Sequence, residues 1–268
     1  MDLNSRAQAV AQRFEAKYLL TEVEAELVRD YLHCYTVPDR KDPEYTVTSL
    51  YLDSPANALY SSSANGEKNR FKLRVRGYDL DPDRPVFFEV KQRVGGVIRK
   101  YRSTVNRSAV GPLTAMTLPG EDALVCASSA TERMNLLLFN ELGQRFGVEP
   151  RVCVRYLREA HVSAFEEPVR VTFDRAISFA PAPKRPEELW TQPRSWSLLD
   201  GLPVVFEIKF TNAYPLWVRR LVQRFNLRRT SLAKYVASVD QMGLEHYDVS
   251  AKIATTHLTG TTLNGRTT

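Results

Sequence analysis

The sequence predicts an α+β protein built on a closed antiparallel β-barrel, a tunnel with a charged lumen and helices packed outside. Three observations predict it. First, apolar and charged residues alternate in strand-length segments: in Arg70 to Arg76, Phe71, Leu73 and Val75 share one face, while Arg70, Lys72, Arg74 and Arg76 share the other. Second, this pattern recurs in some six to eight segments, and acids precede cations by two residues, hence on the same face, at Glu15/Lys17, Glu89/Lys91 and Glu207/Lys209. Third, other segments carry apolar stripes of helical period that need a sheet face to cover. For one strand, a sheet with a solvated outer face gives the same alternation. Recurrence, together with helices that must cover the apolar faces, favours charged faces turned inward.

Composition sets the frame. A chain of 268 residues with 43% apolar content is long enough for one large domain with its own core. The net charge of +6 and a pI near 9.2 favour an anionic partner. Cys34, Cys126 and Cys153 are odd in number and lack CxxC spacing, which argues against a disulfide framework or a zinc site. No apolar leader and no run long enough to span a bilayer is visible, so a cytoplasmic protein without a transmembrane segment is expected.

The elements follow in order. Residues 1–12 read as a flexible lead-in, and Arg13 to Tyr18 as the first strand, with Phe14, Ala16 and Tyr18 opposite Arg13, Glu15 and Lys17. Thr21 with Glu24 has capping-box spacing and opens a helix to about Cys34, with Val23, Leu27 and Tyr31 on one side. Tyr45 to Leu52 is rich in β-branched and aromatic residues and reads as a strand; Asp53-Ser54-Pro55 ends it and starts a short helix containing Leu59 and Tyr60. The strand at Arg70 and a second at Phe87 to Arg93 follow, the latter placing Glu89, Lys91 and Arg93 on the charged face with Phe87. Gly95-Gly96 marks a two-residue hairpin that brings Lys100 and Arg102 onto the face of Lys91 and Arg93.

Between about 108 and 148 the period becomes helical, with a broad stripe over Thr131 to Leu142 ending near Gly147, and this region reads as a helical insertion. Strand patterns resume at Arg151 to Arg158, Val169 to Asp174 and Val204 to Phe210. Pro181 to Ser195 reads as a loop, and two helices follow, Pro215 to Phe225 and Ser231 to about Met242. The segment 246–268 has few apolar residues and is expected to be disordered.

A lumen of Lys and Arg repels itself unless acids and an anionic ligand neutralise it, and acid interleaved with base suits a metal-bridged polyphosphate. At these residues the sequence resembles a known family. Arg13-Phe14-Glu15-Ala16-Lys17-Tyr18, Ser49-Leu50-Tyr51-Leu52-Asp53, Lys72 to Tyr78, Phe88-Glu89-Val90-Lys91, Lys100-Tyr101-Arg102, Tyr156 to Ala160, Glu207 to Phe210 and Lys234-Tyr235 together resemble the VTC-type polyphosphate polymerase domain of the triphosphate tunnel metalloenzyme (CYTH-like) superfamily. The resemblance spans roughly 13 to 243, within a domain expected over 13–245.

That resemblance implies transfer of the γ-phosphoryl of ATP to a growing polyphosphate in a basic tunnel that needs Mn²⁺ or Mg²⁺. It implies phosphate-binding cations at Lys17, Arg74, Arg76, Lys91, Lys100, Arg158, Arg170, Lys209 and Lys234, of which Lys209, Lys234, Arg74 and Arg76 are expected to act on the transferred group. Glu207 is the implied metal ligand, with Glu89 and Glu15 as candidates beside it. The sequence departs from the wider superfamily at Arg13, which stands where that superfamily has the first acid of Glu-x-Glu-x-Lys, and so removes one carboxylate. Arg155 and Arg158 lie on opposite strand faces, and the motif favours Arg158. Arg70 and Lys72 are read as steering anions to the entrance, and Tyr51 and Asp53 as structural.

Other readings stay open on the same residues: a triphosphatase acting on inorganic triphosphate or nucleotide, and a polyphosphate-binding module without catalysis. A nucleic-acid partner is disfavoured, because the cations are interleaved with acids and the aromatic residues occupy the other strand faces, away from any base. His33, His161, His246 and His257 are scattered and offer no general base.

Overall fold

The computed structural model describes residues 13–243 apart from 79, 80, 82, 96, 121, 193, 202, 212 and 213, and for Arg13 the backbone alone. The expected lead-in over 1–12 and tail over 246–268 lie outside the described residues. In chain order the elements are β1 (Arg13–Leu20), α1 (Glu22–Leu32), β2 (Thr36–Pro38), β3 (Glu44–Asp53), α2 (Ala58–Ala64), β4 (Arg70–Gly77), β5 (Val86–Val94), β6 (Val97–Val105), α3 (Val110–Thr114), α4 (Ala130–Phe146), β7 (Glu149–Ser163), β8 (Arg170–Pro181), β9 (Ser197–Leu198), β10 (Val204–Thr211), α5 (Leu216–Arg224) and α6 (Lys234–Met242). Short 3₁₀ turns at Arg107–Ala109 and Pro186–Trp190 complete them. The helical stretch expected over 108–148 is thus α3 and α4, and the second 3₁₀ turn sits in the proline-rich loop.

The strands form an antiparallel sheet in the hydrogen-bonded order β1-β10-β8-β7-β3-β4-β5-β6, with β2 on β7 and β9 on β8. This corrects the expectation of a closed barrel: among the described residues β1 and β6 do not pair with each other. The physical reason is local, because each end strand has its outer edge capped by neighbouring chain. On β6, Asn135 Nδ2 donates to Arg102 O (2.8 Å), Ser103 Oγ to Glu132 O (2.7 Å) and Val125 N to Thr104 O (3.1 Å). On β1, Thr230 N donates to Lys17 O (2.8 Å) and Arg229 Nη2 to Glu15 O (3.0 Å).

The chain divides into two compact units. Among the described residues the first comprises 13–47, 155–178 and 197–232. Its core packs Ala16, Tyr18, Val171, Phe173, Phe206 and Ile208 of the sheet against Ala25, Val28 and Leu32 of α1 and Trp217, Val218 and Leu221 of α5. The capping box at Thr21 forms as its spacing predicts, with Thr21 Oγ1 accepting from Glu24 N and the Glu24 carboxylate accepting from Thr21 N. The buried stripe of α1 differs from the expected one: Val23 and Leu27 are 66% and 52% exposed, and Ala25, Val28 and Leu32 turn inward. Ala25 has little side chain to hold the helix away, so this stripe packs the helix axis closest to the sheet.

Among the described residues the second unit comprises 48–154, 179–196 and 233–243. Here Leu50, Leu52, Leu73, Val75, Phe88 and Val90 face Leu136 and Phe139 of α4 and Val110 and Leu113 of α3. Ser129 caps α4 at its start by accepting from Glu132 N, and Gly147 in the left-handed conformation ends it. Gly77 is required on β4, since a Cβ there would lie 2.3 Å from Nε1 of the buried Trp190.

Among the described residues no helix is long and apolar enough to cross a membrane.

Candidate functional site

Alternation places Ala16, Tyr18, Val171, Phe173, Phe206 and Ile208 in the first unit, and Leu50, Leu52, Leu73, Val75, Phe88 and Val90 in the second, against helices, and the opposite faces of these strands collect charge. In the second unit the register aligns Arg74 with Glu89, Glu89 with Arg102, and Lys91 with both Lys72 and Lys100. Glu89 is fully buried at the centre of this array. Arg74 Nε donates to its Oε2 (2.6 Å), while Arg102 Nε (2.7 Å) and Lys100 Nζ (2.8 Å) reach Oε1. Burial alone pushes the Glu89 carboxyl up, but Arg74, Arg76, Lys100 and Arg102 outweigh it and hold it well below the usual carboxylate range. Burial lowers Lys100, and the neighbouring Arg102 and Arg74 add to this, so that together they outweigh the attraction of Glu89.

Two phenols complete this array. Arg74 Nη1 donates to Tyr51 Oη (3.3 Å) and Arg102 Nη2 to Tyr78 Oη (2.9 Å). Burial raises the Tyr51 phenol, yet Arg74, Arg76 and Lys72 outweigh burial and bring it down to about 8. Tyr78 is likewise raised by burial and brought down to about 8, chiefly by Arg76 and Arg102. Phenols shifted this far mark a region of strong positive potential. Arg76 is buried, with Nε on Ser49 Oγ (3.2 Å), and the Arg102 guanidinium lies 4.4 Å from the Phe87 ring centre.

In the first unit the register sets Glu15 opposite Lys209, Lys17 opposite Glu207, and Lys209 opposite Arg170. Lys17 Nζ lies 3.0 Å from Glu15 Oε1 and also donates to Leu232 O (2.9 Å), and Lys209 Nζ lies 2.8 Å from Glu207 Oε1. Glu207 is 5% exposed. Arg158 is buried and forks onto Asp174, Nε to Oδ1 at 2.6 Å and Nη2 to Oδ2 at 2.8 Å. Burial lowers the Arg158 guanidinium pKa, but Tyr156, Asp174 and Glu207 outweigh it and keep the side chain firmly charged. Arg170 donates to Asp39 Oδ2 (2.8 and 3.0 Å) and to Tyr45 Oη (3.1 Å).

The sequence-predicted residues therefore fall into two groups. Arg74, Arg76, Glu89, Lys91 and Lys100 belong to the second unit; Glu15, Lys17, Arg158, Arg170, Glu207 and Lys209 belong to the first. Lys234 opens α6, in the second unit, and is not on the strand of Lys209. The expected site residues did not include Arg102, although the hairpin put it on the face of Lys91, nor Asp174 and Asp39; all three complete these ion pairs. Arg102 had a signal, since it sits two residues after Lys100 on the same face. Asp39 had none, because only the fold brings it to Arg170.

A divalent ion of the Mg²⁺ or Mn²⁺ type asks for one or two carboxylates besides phosphate oxygens and water. Among the described residues no group of three or more His, Cys, Asp or Glu side chains gathers to hold a metal. Glu207 and Glu15, on neighbouring strands and each beside a lysine, match the smaller requirement. Glu89 has both oxygens occupied by cations.

A family model described as the VTC domain matches residues 12–243. No curated protein matches the sequence. Solved structures that the chain is similar to include a candidate adenylate cyclase from Bacillus halodurans, 13% identical over 83% of this chain and 94% of that one, with a TM-score of 0.49. A candidate adenylyl cyclase from Hippeastrum, described with a dominant triphosphatase activity, is 14% identical over 88% of this chain and 100% of its own, with a TM-score of 0.48. Another candidate adenylate cyclase, from Vibrio parahaemolyticus, is 13% identical over 85% and 98%, with a TM-score of 0.44.

Proposed function

Because the chain belongs to the VTC domain family, a membership that supports a polyphosphate- or triphosphate-related function, we propose that it is a polyphosphate polymerase. In this reading it moves the γ-phosphoryl group of ATP onto the end of an inorganic polyphosphate, within one domain over 13–245. The observation that carries the reading is the cross-strand ladder of Glu15, Lys17, Glu207 and Lys209, in which acids and cations alternate on one sheet face. Cations alone would suit any anion. Carboxylates set among them suit a phosphate chain that arrives with a divalent ion.

Glu207 with Glu15 would hold Mn²⁺ or Mg²⁺, which when bound supplies neutralisation of the phosphate oxygens. Lys17, Arg158, Arg170 and Lys209 bind phosphate oxygens in the first unit, and Arg74, Arg76, Lys91 and Lys100 do so in the second; Lys234 adds a cation at the start of α6. Each unit offers its own charged sheet face to phosphate. Glu89 stands outside the metal set: buried beneath three cations, it holds Arg74, Lys100 and Arg102 in place.

The terminal oxygen of the polyphosphate attacks the γ-phosphorus, the bond from that phosphorus to the β,γ-bridging oxygen breaks, and ADP leaves with the electron pair. The attacking oxygen is already ionised, so no general base is needed. In this reading Lys209 in the first unit, and Arg74, Arg76 and Lys234 in the second, each offset charge on phosphate oxygens, and positioning with charge neutralisation is what such a transfer asks of a protein. The same faces would serve a triphosphatase with water as the acceptor. Incubation with ATP and Mn²⁺, with products resolved on a gel, separates the two: long polymer supports the polymerase, and phosphate without polymer overturns it.

A further inference from the structure

Between Glu207 and Asp240 the sequence contains no acid, yet it carries Arg219, Arg220, Arg224, Arg228 and Arg229. All five are exposed, on α5 and the turn that follows it. Among the described residues none of Arg219, Arg220, Arg224 and Arg228 forms an ion pair with a carboxylate. Arg220 and Arg224 are four apart on the helix, a spacing at which like charges destabilise it. Arg224 in the last turn gains a little from the helix dipole; Arg219 and Arg220, near the middle, do not. The proposed phosphoryl transfer uses none of these side chains.

We infer that α5 and the turn after it form a track that binds the distal part of a polyphosphate chain outside the proposed transfer site. The inference rests on the polyphosphate reading for its ligand. Four observations favour this polyanion. The cluster is made wholly of arginine, whose planar fork matches phosphate oxygens. On α5 Trp217, Val218 and Leu221 are buried in the first unit's core and Val222 packs partly against it; Leu216, at 58%, is the one large apolar side chain of the helix that is exposed, too little to make an apolar face for a bilayer. The aromatic rings beside the cluster, Phe225 and Tyr31, pack edge-on against each other (5.9 Å between centres) under the Arg224 guanidinium, which disfavours stacking of bases on them. Last, the segment is tied to the charged ladder: Arg229 Nη2 donates to Glu15 O, Thr230 N to Lys17 O, and Lys17 Nζ to Leu232 O. In this inference a polyphosphate leaving Lys17 crosses the β1 edge at Arg229, and α5, whose buried side packs on the apolar face of that sheet, carries it onward over its exposed arginines.

The test uses the quadruple variant Arg219→Gln, Arg220→Gln, Arg224→Gln and Arg228→Gln, which spares Arg229 and the β1 edge. Its fold is checked by melting temperature, and affinities for inorganic triphosphate and for long-chain polyphosphate are measured over a salt series. The expected result is unchanged triphosphate affinity, a loss of long-chain affinity of about tenfold or more, and a shallower salt dependence, by about 0.7 in log–log slope for each phosphate that the variant no longer neutralises. Unchanged long-chain affinity overturns the inference. So does an effect seen only with vesicles containing anionic lipid, or only with DNA, each included as a control. If wild-type protein fails to bind triphosphate but the variant still loses long-chain affinity, the transfer-site reading falls and the track stands.

Discussion

Glu89 Oε2 accepts from Arg74 Nε at 2.6 Å while its carboxylate is fully buried, so a fully enclosed charge on the second unit's charged face is an anion held by cations. The paired state is what makes this burial tolerable. Replacing Glu89 with Gln leaves Arg74, Lys100 and Arg102 without their counter-charge; Lys100 (45% exposed) and Arg102 (34%) can be solvated while Arg74 (16%) is less able to be, so the cost is expected to fall below the roughly 3–5 kcal/mol of a fully buried pair. Urea unfolding reads this directly. The folded pKa of Glu89 lies below its unfolded value of about 4.3, so its stabilisation is complete above that pH and fades as the pH falls further. Glu89→Gln is expected to flatten the acid limb of the stability curve; an equally steep limb would assign acid sensitivity elsewhere.

Tyr51 and Tyr78 report the field of the same cations, and both phenols are expected to ionise near pH 8 when tyrosinate absorbance is followed. Arg74→Gln removes a main cause of the Tyr51 shift and should return that phenol toward the ordinary value of about 10. An anion bound by these cations cancels part of their potential, so triphosphate should raise both apparent pKa values, and by linkage its affinity should weaken as the pH rises above 8. Titration curves identical with and without triphosphate would show that the anion binds away from Tyr51 and Tyr78.

The period-two alternation of Arg70 to Arg76 and Phe87 to Arg93 was enough to place each side chain on its face, because strand geometry leaves only two faces to choose from. The Gly95 hairpin then fixed which residues pair, and Lys91 does sit opposite Lys100. What the pattern did not contain was the fate of the sheet edges. Asn135 and Thr230, far from the strands in sequence, supply the hydrogen bonds that let β6 and β1 end without meeting. Asp39 and Asp174 were equally hidden, since an isolated acid in sequence carries no mark of the arginine it will meet. On α1 two apolar stripes competed, and the choice fell to Ala25, whose small size matters only against the sheet it packs on.

Asp53 gathers a junction of the second unit. Its Oδ1 accepts from Ser54 N (2.7 Å) and Leu59 N (2.8 Å), and Oδ2 accepts from Tyr60 N (2.7 Å) and Tyr235 Oη (2.5 Å). Tyr235 also stacks on Tyr51, with ring centres 4.7 Å apart, so α2, α6 and β3 meet at one carboxylate. Tyr235→Phe removes one hydrogen bond to a charged group and is expected to cost about 1.5–3 kcal/mol. Asp53→Asn should cost more, because the amide nitrogen cannot accept from the backbone donors it would face. Chemical denaturation of both variants checks the order, and a smaller loss for Asp53→Asn would mean that the helix starts find other acceptors.

Glu207→Gln separates charge neutralisation by the protein from that supplied by the metal. The side chain keeps its size, and Lys209, whose side chain is 41% exposed, can be solvated once its partner is neutral, so the fold is expected to persist. Cations such as Lys17, Arg158 and Arg170 stay in place, and triphosphate should still raise the melting temperature, since a ligand bound only by the folded state stabilises it, by about 2.7 kcal/mol at a hundred times its Kd. Without the carboxylate, Mn²⁺ should add nothing further to that shift, and ATP turnover should vanish. Thermal melts with and without metal and a product gel are run on the same preparation. Turnover that survives with Mn²⁺ would place the metal on other oxygens and leave Glu207 as the partner of Lys209 alone.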